Sequence, residues 1–162
     1  MTPLIAAIIP AAGMGKRMGS RDPKQYLTLA GKPILAHTLT AFHHHNKIDI
    51  IVAAVPRDHI ETTEKLIRDH NLDGKTEVIA GGVRRQDSVK KGIDHLNGRA
   101  DIVLVHDGAR PLVSEDLISR CLEATESQGG AIAAIPVKDT LKRGDNQQVI
   151  RDTGKVKSLQ NI

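Results

Sequence analysis

Short apolar runs punctuate the chain at Leu4 to Pro10, Ile48 to Val55, Thr76 to Ala80, Asp101 to His106 and Ala131 to Ile135. Each is bounded by Gly, Pro or polar residues and is too brief for a helix, so each predicts a strand buried on both faces. Between them, hydrophobic positions recur at helical spacing. Leu35, Leu39 and Phe42, with Thr38, trace one face of a helix that Pro33 opens and that ends near His45. Residues 58–70 predict a helix with Ile60, Leu66 and Ile67 inward, closed by Asn71-Leu72-Asp73-Gly74. A helix from about Arg84 turns Val89, Ile93 and Leu96 inward and stops at Asn97-Gly98. Ser114 is placed as an N-cap, with Glu115 and Asp116 in the first turn of a helix that runs to about Ser127. Strands alternating with helices in this way predict a three-layer α/β domain around a mostly parallel sheet.

Two stretches depart from that rhythm. Residues 11–31 form a long polar loop, with Asp22-Pro23 and Ala30-Gly31 as turn punctuation. Residues 136–158 read as an extended β-hairpin arm with too few apolar positions for a core of its own. Composition alone leaves that arm either packed on a partner subunit or solvated. The expected organisation is an α/β domain over 1–135, an arm over 136–158, and the start of a further segment at 159–162. In parallel sheets ligands bind beyond the carboxyl ends of the strands. Residues 11–24, 81–88 and 107–111 all follow strands, so they converge on one rim.

Composition narrows the function classes. A chain of 162 residues, 40% apolar and 26% charged, can bury a core without disulfides or metal. Tyr26 and Phe42 are its only Phe, Tyr or Trp residues, which argues against nucleic-acid binding by base stacking. The single Cys121 excludes an intrachain disulfide framework and is read as a core residue. A net charge of +4 suits anionic ligands. No apolar run reaches the roughly 18 residues of a membrane span, so the expectation is a cytoplasmic protein without membrane or nucleic-acid partners.

The chemistry gathers on the three rim segments. Ala11-Ala12-Gly13-Met14-Gly15-Lys16-Arg17-Met18-Gly19 is a glycine-rich turn released into cations, with Arg21 and Lys24 following. Close backbone approach, successive N–H groups and fixed positive charge suit a polyphosphate. It lacks the P-loop spacing, and Met18 stands where a Gly-x-Gly-x-x-Gly turn would have its third glycine. Gly81-Gly82-Val83-Arg84-Arg85-Gln86-Asp87-Ser88 is a strand-to-helix turn whose amides and Ser88 suit either a base and ribose or simple helix capping. His106-Asp107-Gly108-Ala109-Arg110-Pro111 sets a carboxylate and a guanidinium past a buried strand, either for a metal or second anionic substrate or as a bracing pair. His43-His44-His45 cannot converge on one ion and reads as a cationic helix end.

Taken in order, five segments carry a resemblance. They are Pro10-Ala11-Ala12-Gly13-x-Gly15-x-Arg17-Met18, Pro23-Lys24-Gln25-Tyr26-Leu27, Gly31-Lys32-Pro33-Ile34-Leu35-x-His37-Thr38-Leu39, Gly81-Gly82 with Arg85-Gln86-Asp87-Ser88-Val89, and His106-Asp107-Gly108-Ala109-Arg110-Pro111. The set resembles the 2-C-methyl-D-erythritol 4-phosphate cytidylyltransferases over most of residues 3–142. The ribitol-5-phosphate cytidylyltransferases share the Pro-Lys-Gln loop and are the alternative, as is a CTP-binding fragment without turnover.

The resemblance implies a Rossmann-like domain that moves CMP from CTP to methylerythritol phosphate and releases pyrophosphate. It places the catalytic cations on Arg17 and Lys24, and CTP contacts on Ala11, Ala12, Gly13, Gly15, Gly82 and Ser88. Asp107, Arg110 and Thr140 fall on acceptor positions. It further implies Mg²⁺ as cofactor, with ligands unknown, and a homodimer formed through the arm. Two departures stand out. In Thr153-Gly154-Lys155-Val156-Lys157-Ser158-Leu159-Gln160, Val156 falls where the family has an arm arginine, with Lys155 and Lys157 beside it. At Ile162 the family continues with Gln-Thr-Pro-Gln, so a truncated C-terminal part is expected.

Overall fold

The apolar run at the N-terminus forms β1 (Ile5–Pro10), in which Ile5, Ala6, Ala7, Ile8 and Ile9 are each at most 3% exposed. The computed structural model describes residues 2–13, 23–136, 142–145 and 148–152. A 3₁₀ turn, Lys24–Tyr26, leads to a small antiparallel ladder of β2 (Thr28–Leu29) and β3 (Lys32–Pro33). Ala30 and Gly31 join the two strands with φ of 48° and 79°. Positive φ at both positions is the signature of the two-residue turn whose twist matches a hairpin. The polar loop expected over 11–31 thus carries structure of its own in its second half.

Next come α1 (Ile34–His44), β4 (Ile50–Val55), α2 (Ile60–Asp69), β5 (Thr76–Ala80), α3 (Arg85–Leu96) and β6 (Ile102–Val105). The main sheet has the order β5-β4-β1-β6, all parallel. Central β1 is fastened at its start by two aspartates. Ile5 N–H donates to Asp49 at 2.8 Å and Leu4 N–H donates to Asp101 at 2.8 Å.

Successive strand side chains point to opposite faces, and β1 has a helix on each. Ile8 meets α3, packing with Ala6, Val52 and Leu96. Ile9 and Leu35 of α1 both lie against Gly108 on the other face. Leu35, Thr38, Leu39 and Phe42 are buried as the helical spacing predicts. The face of α3 differs from expectation. Its buried stripe is Ser88, Gly92 and Leu96, while Ile93 is 51% exposed. Gly92 decides the rotation, because a Cβ there would stand 2.7 Å from Ile8 Cγ2. The helix seats its bare backbone on the central strand, and Ile93 is carried outward.

The chain divides into two compact units, Met1–Glu115 and Asp116–Ile162. The second holds most of α4 (Glu115–Gln128), in which Ile118 and Leu122 are buried and Cys121 is half-buried. It also holds the antiparallel hairpin of β7 (Lys142–Asp145) and β8 (Gln148–Asp152), where an arm is expected. The fifth expected strand is absent: Ala131 to Ile135 is irregular, with Ile132 61% and Ile135 84% exposed. A strand needs a ladder partner, and β6 closes the sheet with no strand on its outer side among the described residues.

Candidate active site

A cleft of about 730 Å³ opens at the carboxyl ends of β1, β5 and β6, where the sequence places its rim. Volumes of a few hundred to a thousand Å³ are usual for small-ligand sites. Its floor is Pro10, Ala11, Ala12 and Gly13 leaving β1. Ala11 N–H donates to the Ala54 carbonyl at 2.7 Å, so the chain stays in register with β4 one residue beyond the strand.

One wall is the turn after β5. Gly81 N–H donates to the Val55 carbonyl at 2.7 Å, and Gly82 N–H donates to Ser88 Oγ at 2.9 Å. No side chain fits here. A Cβ on Gly81 would lie 2.5 Å from Ala12 Cβ, and one on Gly82 would lie 2.3 Å from Asp87 Cβ. Lys91 reaches back from α3 and donates to the Gly81 carbonyl at 2.8 Å. Asp87 holds the helix start, accepting from Arg84 N–H at 3.1 Å and from its guanidinium at 2.8 Å. Those bonds from Arg84 keep the Asp87 carboxyl below its ordinary pKa.

The opposite wall is the turn after β6. Gly108 N–H donates to the Pro10 carbonyl at 3.1 Å, and Thr38 Oγ1 donates to the Gly108 carbonyl at 3.0 Å. His106 Nε2 meets the Arg110 carbonyl at 2.9 Å while its ring lies 5.2 Å from that of Phe42. Asp107 takes a guanidinium on each oxygen, Arg85 at 2.7 Å and Arg110 at 3.0 Å. Burial raises the Asp107 carboxyl, but the bond from Arg85 and the charges of Arg85, Arg110 and His106 outweigh it, and the net pKa is lowered. The carboxylate is therefore ionised at neutral pH.

At the mouth stands the Lys24 turn. Lys24 is exposed, and no hydrogen bond or ion pair holds its ammonium among the described residues. Its neighbour Gln25 is 2% exposed and donates from Nε2 to the Ala11 carbonyl, tying the turn to the cleft floor. Among the described lining residues, Lys24, Arg84, Arg85 and Arg110 face a single carboxylate, that of Asp107. Among the described residues the lining contains no His or Cys, and the oxygen of Ser88 accepts from Gly82 N–H. Such a site is built for binding and neutralising anions, with helix N-terminal amides assisting, and not for nucleophilic or general-base work by its described residues.

Of the expected site residues, the structure brings Ala11, Ala12, Gly13, Lys24, Gly82, Ser88, Asp107 and Arg110 into one cleft. Gly15, Arg17 and Thr140 lie outside the described residues. Three contributors escape sequence reasoning: Gln25, Lys91 and the pairing of Arg85 with Asp107. Gln25 is signalled only by its place between a cation and an aromatic residue in a turn.

The described residues do not form a protein cage for Mg²⁺. They hold no group of three His, Cys, Asp or Glu able to bind an ion. Asp107 already spends both oxygens on arginines.

Comparison with known proteins gives the chain a family. The model of the IspD family, 2-C-methyl-D-erythritol 4-phosphate cytidylyltransferase, matches residues 5–162. A bifunctional enzyme IspD/IspF of Desulfotalea psychrophila is 52% identical over 139 residues, which are 86% of this chain and 36% of that protein. The 2-C-methyl-D-erythritol 4-phosphate cytidylyltransferase of Haemophilus influenzae is 44% identical over 153 residues, 94% of this chain and 65% of that protein. The crystal structure of 4-diphosphocytidyl-2C-methyl-D-erythritol synthase from Anaerococcus prevotii superposes with a TM-score of 0.82 at 29% identity, over 95% of this chain and 65% of that one. The chain thus spans less than two thirds of each of these relatives.

Proposed function

The chain belongs to the 2-C-methyl-D-erythritol 4-phosphate cytidylyltransferase family, and from that premise we propose that its cleft transfers CMP from CTP to 2-C-methyl-D-erythritol 4-phosphate. In this reaction a phosphate oxygen of the acceptor attacks the α-phosphorus of CTP. The new P–O bond forms as the bond to the β-phosphate breaks, and pyrophosphate leaves with its electron pair. No proton has to move, because the attacking oxygen is already anionic. Catalysis then rests on alignment and on cations that meet the charge developing at phosphorus.

The turn at Gly81, Gly82 and Ser88 suits the cytidine, and the floor at Ala11 to Gly13 suits the triphosphate. Asp107 and Arg110 suit the acceptor, a hydroxyl for the carboxylate and a phosphate for the guanidinium. Thr140 and Gly15 join these groups by the family pattern alone, as does Arg17 beside Lys24. The described residues would leave Mg²⁺ to the oxygens of the nucleotide itself, where it would supply charge neutralisation for the pyrophosphate. The β7–β8 hairpin is the arm through which two copies pair, and the protein works in the cytoplasm on small molecules, without nucleic acid. No described helix is long and apolar enough to cross a membrane.

The observation that carries the reading is the Lys24 ammonium, unpaired among the described residues, on a turn bonded to the cleft floor. Pyrophosphate release by the 162-residue chain with CTP, Mg²⁺ and methylerythritol phosphate tests it. Lys24→Ala lowers turnover by about 10²- to 10³-fold, the usual cost of one transition-state donor, and changes CTP affinity little. Equal losses in both would overturn the assignment of Lys24. A second reading is that the 162-residue chain binds CTP without turnover. It is upheld if calorimetry detects CTP while no pyrophosphate appears.

A further inference from the structure

Helix α2 contributes nothing to the lining of the cleft, yet its first turn grips the segment that carries Lys24. Tyr26 Oη lies 2.7 Å from Thr63 Oγ1, and its ring stacks on His59 with centroids 4.9 Å apart and planes 26° apart. Thr63 is fully buried, and its hydroxyl donates to the His59 carbonyl at 2.7 Å. A hydroxyl has one proton to give. Since Thr63 spends its proton on His59, Tyr26 must be the donor in the Tyr26–Thr63 bond. The polarity of the chain is therefore fixed: Tyr26 to Thr63 to the His59 carbonyl. His59 is itself bonded to Asp58 at 3.0 Å.

The turn is thus fastened by the two side chains that follow Lys24. Gln25 ties it to the Ala11 carbonyl on the cleft floor, and Tyr26 ties it to α2. Its own backbone bonds, Tyr26 N–H to Pro23 at 2.9 Å and Leu27 N–H to Lys24 at 3.2 Å, close a single turn of helix. A single turn is too short to hold itself. Lysine has a long flexible stem, so the direction in which its ammonium is offered depends on the backbone beneath it.

We propose that Tyr26 and Thr63 are positioning residues for Lys24, so that the start of α2 belongs to the reaction machinery although it touches no part of the cleft. The catalytic side of this inference rests on the role of Lys24 proposed above. Tyr26→Phe keeps the stacked ring and removes only the hydrogen bond. Thr63→Val keeps the volume and removes the acceptor. Each is expected to lower kcat about tenfold with KM for CTP within twofold. In a Lys24→Ala background the same changes cost less than twofold, because a cation that is absent cannot be misaimed. A purely structural role would instead lower kcat by the same factor in both backgrounds and overturn the proposal.

Hydrogen exchange provides a readout that does not need turnover. The Tyr26 and Leu27 amides should exchange at least tenfold faster in Tyr26→Phe, with the unfolding midpoint within about 2 °C of the parent. Unchanged exchange would overturn the clamp, whatever the kinetics show. If the parent chain releases no pyrophosphate, the reading of this chain as a transferase fails by itself. The exchange measurement then still decides whether α2 orders the Lys24 turn.

Discussion

Gly92→Ala sets two familiar effects against each other, and the structure says which wins. In an exposed helix, alanine for glycine gains about 1 kcal/mol. Here the new methyl would stand 2.7, 3.0 and 3.1 Å from three carbons of Ile8, where relaxed carbon contacts need about 3.5–4.0 Å. Ile8 cannot retreat easily. It is fully buried in the central strand and bonded through its backbone to β4 and β6. Either Ile8 leaves its rotamer well, at about 0.5–1.5 kcal/mol, or α3 lifts and opens a void beside Leu96 and Val52. Overpacking of this kind costs about 1–3 kcal/mol. Subtracting the helical gain leaves a net loss of up to about 2 kcal/mol, or several degrees in Tm for a domain of this size. Because α3 carries Ser88 and Lys91, a lifted helix also disturbs the Gly81-Gly82 turn, so CTP affinity should fall alongside. Urea unfolding followed by far-UV circular dichroism provides the measure, with Ile93→Ala as its companion. Ile93 is half exposed, and its truncation should cost less than about 1 kcal/mol, against 2–5 for a buried isoleucine. A Gly92→Ala protein more stable than the parent, or a severely destabilised Ile93→Ala, would refute the rotation of α3.

Two further expectations concern stability. Ala30→Gly relieves a non-glycine residue held at φ 48° and should raise Tm slightly, with a gain of up to about 1 kcal/mol in thermal unfolding. Glu77 of β5 accepts both guanidinium nitrogens of Arg99 at 2.8 Å and meets His95 at 2.5 Å; the Arg99 bonds, against the opposing effect of burial and with help from His95, lower its pKa from 4.5 to about 2. Its folded pKa is depressed, so its contribution is present above pH 4.5 and is lost as pH falls towards 2. With the pair more than a third exposed, solvent screening reduces that contribution to about 1 kcal/mol. Glu77→Gln should show a correspondingly flatter loss of stability between those pH values in acid titrations of unfolding.

The parts of this fold that can be read from the chain are those set by local chemistry. Ile5 to Ile9 had to be buried on both faces, and Thr76 to Ala80 emerges with the bounds its flanking residues predict. Ala131 to Ile135 has the same composition but no ladder, because pairing is a property of the neighbour and not of the segment. Helical periodicity assigns Ile93 to the core by weighing side chains, whereas α3 is seated by the side chain that Gly92 lacks. In the site, Gly81, Gly82, Ser88 and Asp107 are legible because their backbone freedom or charge has little other use at strand ends. The Arg85–Asp107 pair is not, since 22 residues separate its members and only the strand order brings them together. The Tyr26–Thr63 bond is hidden for the same reason, across 37 residues.

Strand β4 supplies no side chain to the cleft, yet its last two carbonyls, Ala54 and Val55, carry the first residues of the loops on either side. Through these two bonds the loops leaving β1 and β5 meet over the end of β4, where a Cβ on Gly81 would stand 2.5 Å from Ala12 Cβ, while the turn after β6 is bonded to β1 directly through Gly108 N–H and the Pro10 carbonyl. The base of the cleft is thus moored by main-chain bonds that any sequence can make, and changes in loop length or sequence can raise, lower or recolour its walls without cutting those moorings.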